Sequence, residues 1–308
     1  MLDPHTTGSS LAIGVALGGG SARGYAHIGA LATLERHGFV PTVLAGTSFG
    51  AVVGALYATE RAPEELEAQA ARMRRRDVLP GVIDFGLHRG ALFRGERLEA
   101  YFDRLLEGRW FEDLGRTLVV TATDADSGER VLLDSGPLAP ALRASASLPG
   151  IFAPVEIDGR RLIDGGIGSP VPLDTLDAFD LDLRIGIGAG ADAEDSGTIR
   201  AVRRALEHPW GRRVHAAMGR AGSGRAGALV RALAWTAEGY AASLEGREAA
   251  GVQVQTRPPI HWLRFDRAEA AIRAGERALE GALPTLRASL ADAARRARAG
   301  VELAPEGT

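Results

Sequence analysis

The chain has 308 residues, 36 Lys plus Arg against 39 Asp plus Glu for a formal charge of -3, and neither cysteine nor lysine. A near-neutral balance gives no reason to expect a nucleic-acid partner. The missing thiols exclude a disulfide framework and Cys-based metal or redox sites, and the missing lysine excludes the usual nucleotide-loop lysine and Schiff-base chemistry.

Met1 to Ser10 (1–10) is polar and mixed and reads as a flexible tail without the basic-then-apolar order of a secretory leader. No later apolar run reaches the ~20 residues of a membrane span. A soluble, cytoplasmic protein is expected. Leu11 to Leu17 then reads as a buried strand, followed by Gly18-Gly19-Gly20-Ser21-Ala22-Arg23-Gly24 and, from about Ala26, a helix with Ile28, Leu31 and Leu34 on one face that ends at Gly38. Three successive glycines leave backbone N–H groups free to point inward, as an oxyanion hole or a phosphate cradle requires. Neither a Walker ending nor dinucleotide glycine spacing is present.

Val40 to Ala45 predicts a second strand and Phe49 onward a second helix, so Gly46-Thr47-Ser48-Phe49-Gly50 occupies a strand-to-helix turn. A serine there projects above the sheet edge beside a helix amino terminus, the setting of a nucleophile elbow; the plainer reading is a Gly/Ser turn with a helix cap. This strand-helix-strand-helix opening is the pattern of a mostly parallel sheet covered on both faces.

Pro63 to Arg76 predicts a helix whose end carries Arg72, Arg74, Arg75 and Arg76, cations that suit either the local dipole or an anionic lipid surface. Leu79 to Gly95 is apolar but broken by glycine, unlike a regular core element, and can wall an active site; Glu96 to Leu106 resumes a helix. Thr117 to Thr123 and Arg130 to Leu133 read as strands joined by a turn at Asp126-Ser127-Gly128. Asp124, Asp126 and Glu129 are spaced like that turn and lack the later ligands of a calcium loop, so no metal is implied. A short helix from Pro137 must stop before Pro149. Ala153 to Ile157 and Arg161 to Ile163 flank Asp158-Gly159, a hairpin signal that delivers Asp164 at a strand end ahead of Gly165 and Gly166.

Arg184 to Ala189 predicts a further core strand. From Thr198 to Ala249, Val202, Leu206, Trp210, Val214 and Met218 recur every four residues among arginines, as core packing of an amphipathic helix or as a face lying on an anionic membrane. Val252 to Gln255 predicts a strand and Asp266 to Leu279 a helix.

Taken together, Gly18-Gly19-Gly20-Ser21-Ala22-Arg23-Gly24, Gly46-Thr47-Ser48-Phe49-Gly50 and Asp164-Gly165-Gly166 resemble, in order, the three marks of the patatin-like phospholipase family, bacterial branch. The run Ala144-Ser145-Ala146-Ser147-Leu148-Pro149-Gly150-Ile151-Phe152-Ala153-Pro154-Val155 is similar to a further block of that family. The resemblance spans Leu11 to Ala189 and recurs faintly near the carboxyl end; the long Arg/Ala segment departs from it. It implies a three-layer α/β/α fold with a mostly parallel central sheet. The corresponding division is a catalytic core over 11–190, an Arg/Ala-rich helical segment over 191–250, and closing strand and helices of the same domain over 251–308.

The same resemblance implies a Ser-Asp dyad of Ser48 and Asp164 without a histidine, an oxyanion hole at Gly18, Gly19 and Gly20, supporting roles for Arg23, Gly24, Gly46, Gly50, Gly165 and Gly166, and no cofactor. Arg23 either orders its loop or meets a lipid phosphate, its fixed place among the glycines favouring the first. His27 is expected to be packed or at the surface rather than a hidden base. The implied reaction is hydrolysis of phospholipid or lysophospholipid acyl esters, with peripheral contact at an anionic membrane surface. The alternatives are a short-chain carboxylesterase and a low-activity regulatory or scaffold protein of the same fold.

Overall fold

The computed structural model describes residues 11–72, 84–88, 91–149, 151–190 and 251–302. The expected tail, the Arg74–Arg76 cluster and the four-residue stripe from Val202 to Met218 lie outside the described residues. Ten strands are described: β1 Ile13–Leu17, β2 Val43–Thr47, β3 Phe85–His88, β4 Ala91–Phe93, β5 Thr117–Asp124, β6 Arg130–Leu133, β7 Val155–Ile157, β8 Arg160–Asp164, β9 Leu183–Gly188 and β10 Val252–Gln255. The α-helices among the described residues are α1 Ala26–Arg36, α2 Phe49–Ala58, α3 Pro63–Arg72, α4 Glu96–Leu105, α5 Leu138–Ser145 and α6 Ala268–Glu302.

The main sheet runs β10-β9-β1-β2-β5-β8-β7, with β6 also paired to β5. Pairs from β10 through β5 are parallel, and those of β5 with β6, β5 with β8 and β8 with β7 are antiparallel. Side chains of β1 alternate between the two faces as a pleat requires. Ile13, Val15 and Leu17 join the large buried cluster under α1, α2 and α6, while Ala16 points to the opposite face against Leu173 and Leu176 of a 3-10 turn. Both faces of the sheet are thus covered, and the architecture is α/β as expected. Val252, Val254, Ile272, Leu279 and Leu286 belong to the same buried cluster as Leu17.

One feature of the sheet places the site. Strand β2 pairs with the first part of β5 in parallel, ending at Thr47 opposite Thr121, and β8 pairs with the next part in antiparallel sense, ending at Asp164 opposite Ala122. The two strands run toward each other along β5, and their carboxyl ends meet.

Several element boundaries differ from expectation. The strand expected from Val40 begins at Val43, after Pro41, and runs on to Thr47; Val40 is exposed. Proline cannot donate to a ladder, so pairing starts beyond it. The glycine-broken stretch before Gly95 holds β3 and β4, a two-stranded sheet apart from the main one, and Phe93 exchanges backbone bonds with Ile151 and Ala153. The last helix, expected to end near Leu279, continues through Pro284 to Glu302, because the apolar spacing continues at Leu283 and Leu286, both buried. Their burial outweighs the backbone bond that the proline removes. At Asp158 and Gly159 φ is 51° and 73°, the two positive values of the tight turn expected there. Asp124 Oδ1 accepts the N–H groups of Asp126 and Ser127, a turn role for that carboxylate.

Candidate active site

Ser48 is the single residue between β2 and α2, and it has φ 52° and ψ -123°. A residue with a Cβ is costly there, by roughly 1–3 kcal/mol, and persists only where its surroundings impose it. Those surroundings explain the flanking glycines. A Cβ on Gly46 would lie 2.4 Å from the Ala51 Cα, and one on Gly50 2.3 Å from the Leu17 carbonyl oxygen. The turn therefore closes only with glycine on both sides. Beneath it, Thr47 Oγ1 meets Thr121 Oγ1 at 2.7 Å and donates to the Ser169 carbonyl at 2.9 Å, which ties the end of β2 to its neighbours.

Ser48 Oγ donates to Asp164 Oδ2 at 2.9 Å. The other carboxylate oxygen accepts the Gly166 N–H at 2.7 Å, and the Asp164 N–H donates to the Ser147 carbonyl at 3.0 Å. Gly165 must be glycine because a Cβ would sit 2.3 Å from the Thr121 carbonyl oxygen. Burial pushes the Asp164 carboxyl up to about 6, against the opposing pull of the bonds from Gly166 and Ser48. A carboxylate so placed is a better proton acceptor than a free one.

The glycine loop is arranged differently from its sequence reading. The Gly18 N–H donates to Ile187 and the Gly19 N–H to Pro170, each at 2.9 Å. Among the described residues no acceptor is recorded for the N–H groups of Gly20 and Ser21 on the loop or of Phe49 at the start of α2, where helix geometry leaves the first N–H groups unpaired. Gly19 still lies against Ser48, with its Cβ position 3.6 Å from the Ser48 Cβ. Gly24 gives room to the Phe49 ring, 2.6 Å from where a Cβ would be. Arg23 Nε donates to the Ile260 carbonyl at 2.9 Å and the Ala22 N–H to that of Trp262 at 3.0 Å, so the loop is held to the segment after β10.

His27 is fully buried in α1, with Nε2 2.7 Å from the Gly18 carbonyl oxygen and no partner at Nδ1 among the described residues. The carbonyl can only accept, so Nε2 carries the proton. Burial pulls the imidazole down to about 4 and keeps it neutral. It braces the loop and does not touch Ser48.

A cavity of about 630 Å³ opens over Ser48 and Asp164. Its inner wall is apolar, with Ile28 from α1, Val53 and Leu56 from α2, Leu66 from α3 and Leu98 and Phe102 from α4. Phe93 from the β3–β4 pair also lines it, in the wall position expected of that stretch. Leu148, Trp262 and Leu263 line it while remaining 36%, 37% and 39% exposed, which places them at its rim. No histidine among the described residues lines it.

Sequence reasoning assigned no chemistry to Arg143, Ser145 or Ser147, all of them buried. Ser145 Oγ accepts the Ser48 N–H at 2.7 Å. The only sequence signal was the serine pair within the Ala144 to Val155 run.

A family model of patatin-like phospholipases matches residues 15–177. An "uncharacterized NTE family protein" of Mycobacterium tuberculosis is 35% identical over 203 residues, which are 64% of this chain and 56% of the relative. The human "patatin-like phospholipase domain-containing protein 6" is 32% identical over 192 residues, 61% of this chain and 14% of that protein. The match thus spans little more than half of the mycobacterial relative and a small part of the human one. VipD from Legionella pneumophila aligns with 91% of this chain over 68% of its own, with a TM-score of 0.49 and 13% identity.

Proposed function

This chain belongs to the patatin-like phospholipase family, and from that premise we propose that it hydrolyses acyl esters of phospholipids or lysophospholipids through a Ser48–Asp164 dyad and an acyl-enzyme. The observation that carries the reading is the 2.9 Å hydrogen bond from Ser48 Oγ to the buried Asp164 carboxylate. As Ser48 Oγ attacks the ester carbonyl, its proton passes to Asp164 Oδ2 and the carbonyl electron pair becomes an oxyanion. Collapse of that tetrahedral species breaks the bond to the leaving oxygen, which takes the proton from Asp164. Water then repeats the sequence on the acyl-enzyme, giving up its proton to Asp164, and Ser48 is released with the free acid.

The oxyanion needs donors aimed at the developing charge. With the Gly18 and Gly19 N–H groups committed to Ile187 and Pro170, the donors in this reading are Gly20, Ser21 and Phe49, and the amino end of α2 adds its dipole. Gly18 and Gly19 shape the loop.

An apolar cavity of about 630 Å³ favours a long acyl chain over the short-chain esterase reading. The assembled pair of Ser48 and Asp164 argues against a scaffold without turnover. Of the seven large apolar side chains exposed among the described residues, three stand at the cavity rim, which supports peripheral seating on a lipid surface. No helix among the described residues is long and apolar enough to cross a membrane.

The test is release of free fatty acid from vesicles of phosphatidylcholine and of lysophosphatidylcholine, alongside a soluble butyrate ester, with Ser48→Ala as the control. Release from either lipid that disappears in Ser48→Ala, with a fluorophosphonate probe attached to Ser48, is expected. Turnover of butyrate alone would move the assignment to a short-chain esterase.

A further inference from the structure

The serine pair at the end of α5 touches both members of the dyad from one short stretch of chain. Ser145, the last residue of α5 and fully buried, accepts the Ser48 N–H on its hydroxyl oxygen at 2.7 Å. Two residues on, the Ser147 carbonyl accepts the Asp164 N–H at 3.0 Å. We propose that Ser145 is a positioning residue for the reaction, holding the elbow of Ser48 in register with Asp164 while Ser147 fixes Asp164 from the same segment. The proposal rests on the dyad reading above.

A side chain is needed at 145 for a physical reason. At the end of α5, where the ladder runs out, the Leu142 and Ala144 carbonyls accept the N–H groups of Ala146 and Ser147 and the Arg143 carbonyl accepts the Ser147 hydroxyl, so the acceptor this turn gives the elbow comes from a side chain. Ser48 needs that acceptor because its backbone, at φ 52° and ψ -123°, is held by its surroundings rather than by preference. Downstream, the Ser48 carbonyl accepts the N–H groups of Ala51 and Val52, so the residue is gripped on both sides.

The segment that supplies the grip is itself fixed. Ser147 Oγ donates to the Arg143 carbonyl at 2.5 Å and accepts from the Arg143 guanidinium. The same guanidinium donates to the Gly95 and Ala153 carbonyls, each at 2.8 Å, and to that of Arg94. Arg143 is buried without a carboxylate in contact among the described residues, and its guanidinium ties the Ser147 hydroxyl to the Arg94, Gly95 and Ala153 carbonyls. The stretch 145–147 is therefore a rigid spacer between the nucleophile's N–H and the base's N–H.

The experiment compares wild type, Ser145→Ala and Ser145→Thr on one soluble ester, with Ser48→Ala and Asp164→Asn alongside and thermal melting to establish folding. A misplacement of about 1 Å at a reacting pair costs on the order of 100-fold. Ser145→Ala is expected to lose about 10- to 100-fold in kcat with KM within about twofold, and Ser145→Thr, which keeps the hydroxyl, to recover most of it. The acid limb of the pH profile should also move upward in Ser145→Ala, since a displaced Ser48 no longer donates to Asp164, and that donation lowers the carboxyl against its burial. A role confined to stability moves the melting temperature and neither kcat nor the acid limb.

If Ser145→Ala does not fold, Ser145→Cys, close in size with a weaker acceptor, takes its place with the same expectations. A folded variant with kcat and acid limb unchanged, beside inactive Ser48→Ala and Asp164→Asn proteins, overturns the proposal and leaves the dyad standing. Normal turnover by Asp164→Asn removes the dyad and the proposal with it.

Discussion

Thr47 and Asp164, 117 positions apart in the sequence, pair with consecutive residues of one strand, Thr121 and Ala122. Because β2 runs parallel to β5 and β8 antiparallel to it, both reach this point at their carboxyl ends, where the chain leaves the sheet. The next residue after Thr47 is Ser48, and its hydroxyl meets the Asp164 carboxylate. The meeting of Ser48 and Asp164 is a property of sheet topology before it is one of side chains.

Asp164→Asn should lose at least about 10³-fold in kcat/KM, because an amide keeps a hydrogen bond to Ser48 but cannot carry the proton. The same variant should gain stability at alkaline pH. The folded carboxyl titrates at about 6, above the ordinary 3.8, so the native state holds the proton more tightly than the unfolded chain. Its contribution favours the fold most below about pH 4 and is lost as pH rises through 6, with an ionised group at pH 8 costing on the order of 3 kcal/mol. Urea unfolding at pH 4.5 and pH 8 checks this: the gain in Asp164→Asn appears at pH 8 and fades at pH 4.5.

The pH profile of kcat/KM should rise with a single acid limb near 6 and then level, since in the proposed mechanism Asp164 must be ionised to accept the proton of Ser48. A histidine base would give a limb in the same region, so the profile needs its partner experiment. His261→Ala, at an exposed ring in the segment carrying Trp262, should stay within about twofold of wild type, whereas loss of a histidine belonging to a relay costs about 10³-fold or more. His5, His208 and His215 lie outside the described residues and are replaced in the same series, with the same expectation. A folded histidine variant as inactive as Ser48→Ala would overturn the dyad.

Chain-length preference should follow the cavity. Each buried methylene contributes about 0.8 kcal/mol, so kcat/KM should climb by up to about fourfold per methylene until the cavity is full. Leu56, on α2 in the apolar wall, offers a way to shorten it. Leu56→Trp is expected to reduce turnover of a long-chain ester at least about tenfold while a butyrate ester changes little, with overpacking costing about 1–3 kcal/mol in stability. Equal losses on both esters would mean that the acyl chain lies elsewhere.

Replacing Trp262 and Leu263 by serine removes two of the three exposed apolar groups at the rim. The double variant should pellet less with sedimented vesicles and lose activity on vesicle lipid, while its kcat/KM on a soluble ester stays within about threefold of wild type. The soluble ester is the discriminating arm, because the same segment is bonded to the glycine loop at Ala22 and Arg23. Vesicle binding unchanged in the double variant counts against a lipid seat at this rim.

The sequence alone determined what depends on neighbours along the chain. Alternation and four-residue spacing carry the strands and helices, Asp158-Gly159 carries its hairpin, and glycines two residues either side of Ser48 mark the strand-to-helix turn, because each is a local steric or periodic property. Ser48 and Asp164 were legible as a pair only through resemblance to a family. Tertiary structure decided the rest. It spent the Gly18 and Gly19 N–H groups on Ile187 and Pro170, set His27 against the Gly18 carbonyl, and gave the Ser48 N–H to Ser145, 97 residues away. Which donor finds which acceptor depends on how strands order themselves across the sheet, and no spacing along the chain encodes that. The cavity is of the same kind, since its apolar wall is assembled from residues of four helices, α1 to α4, whose local patterns specify only that they are buried.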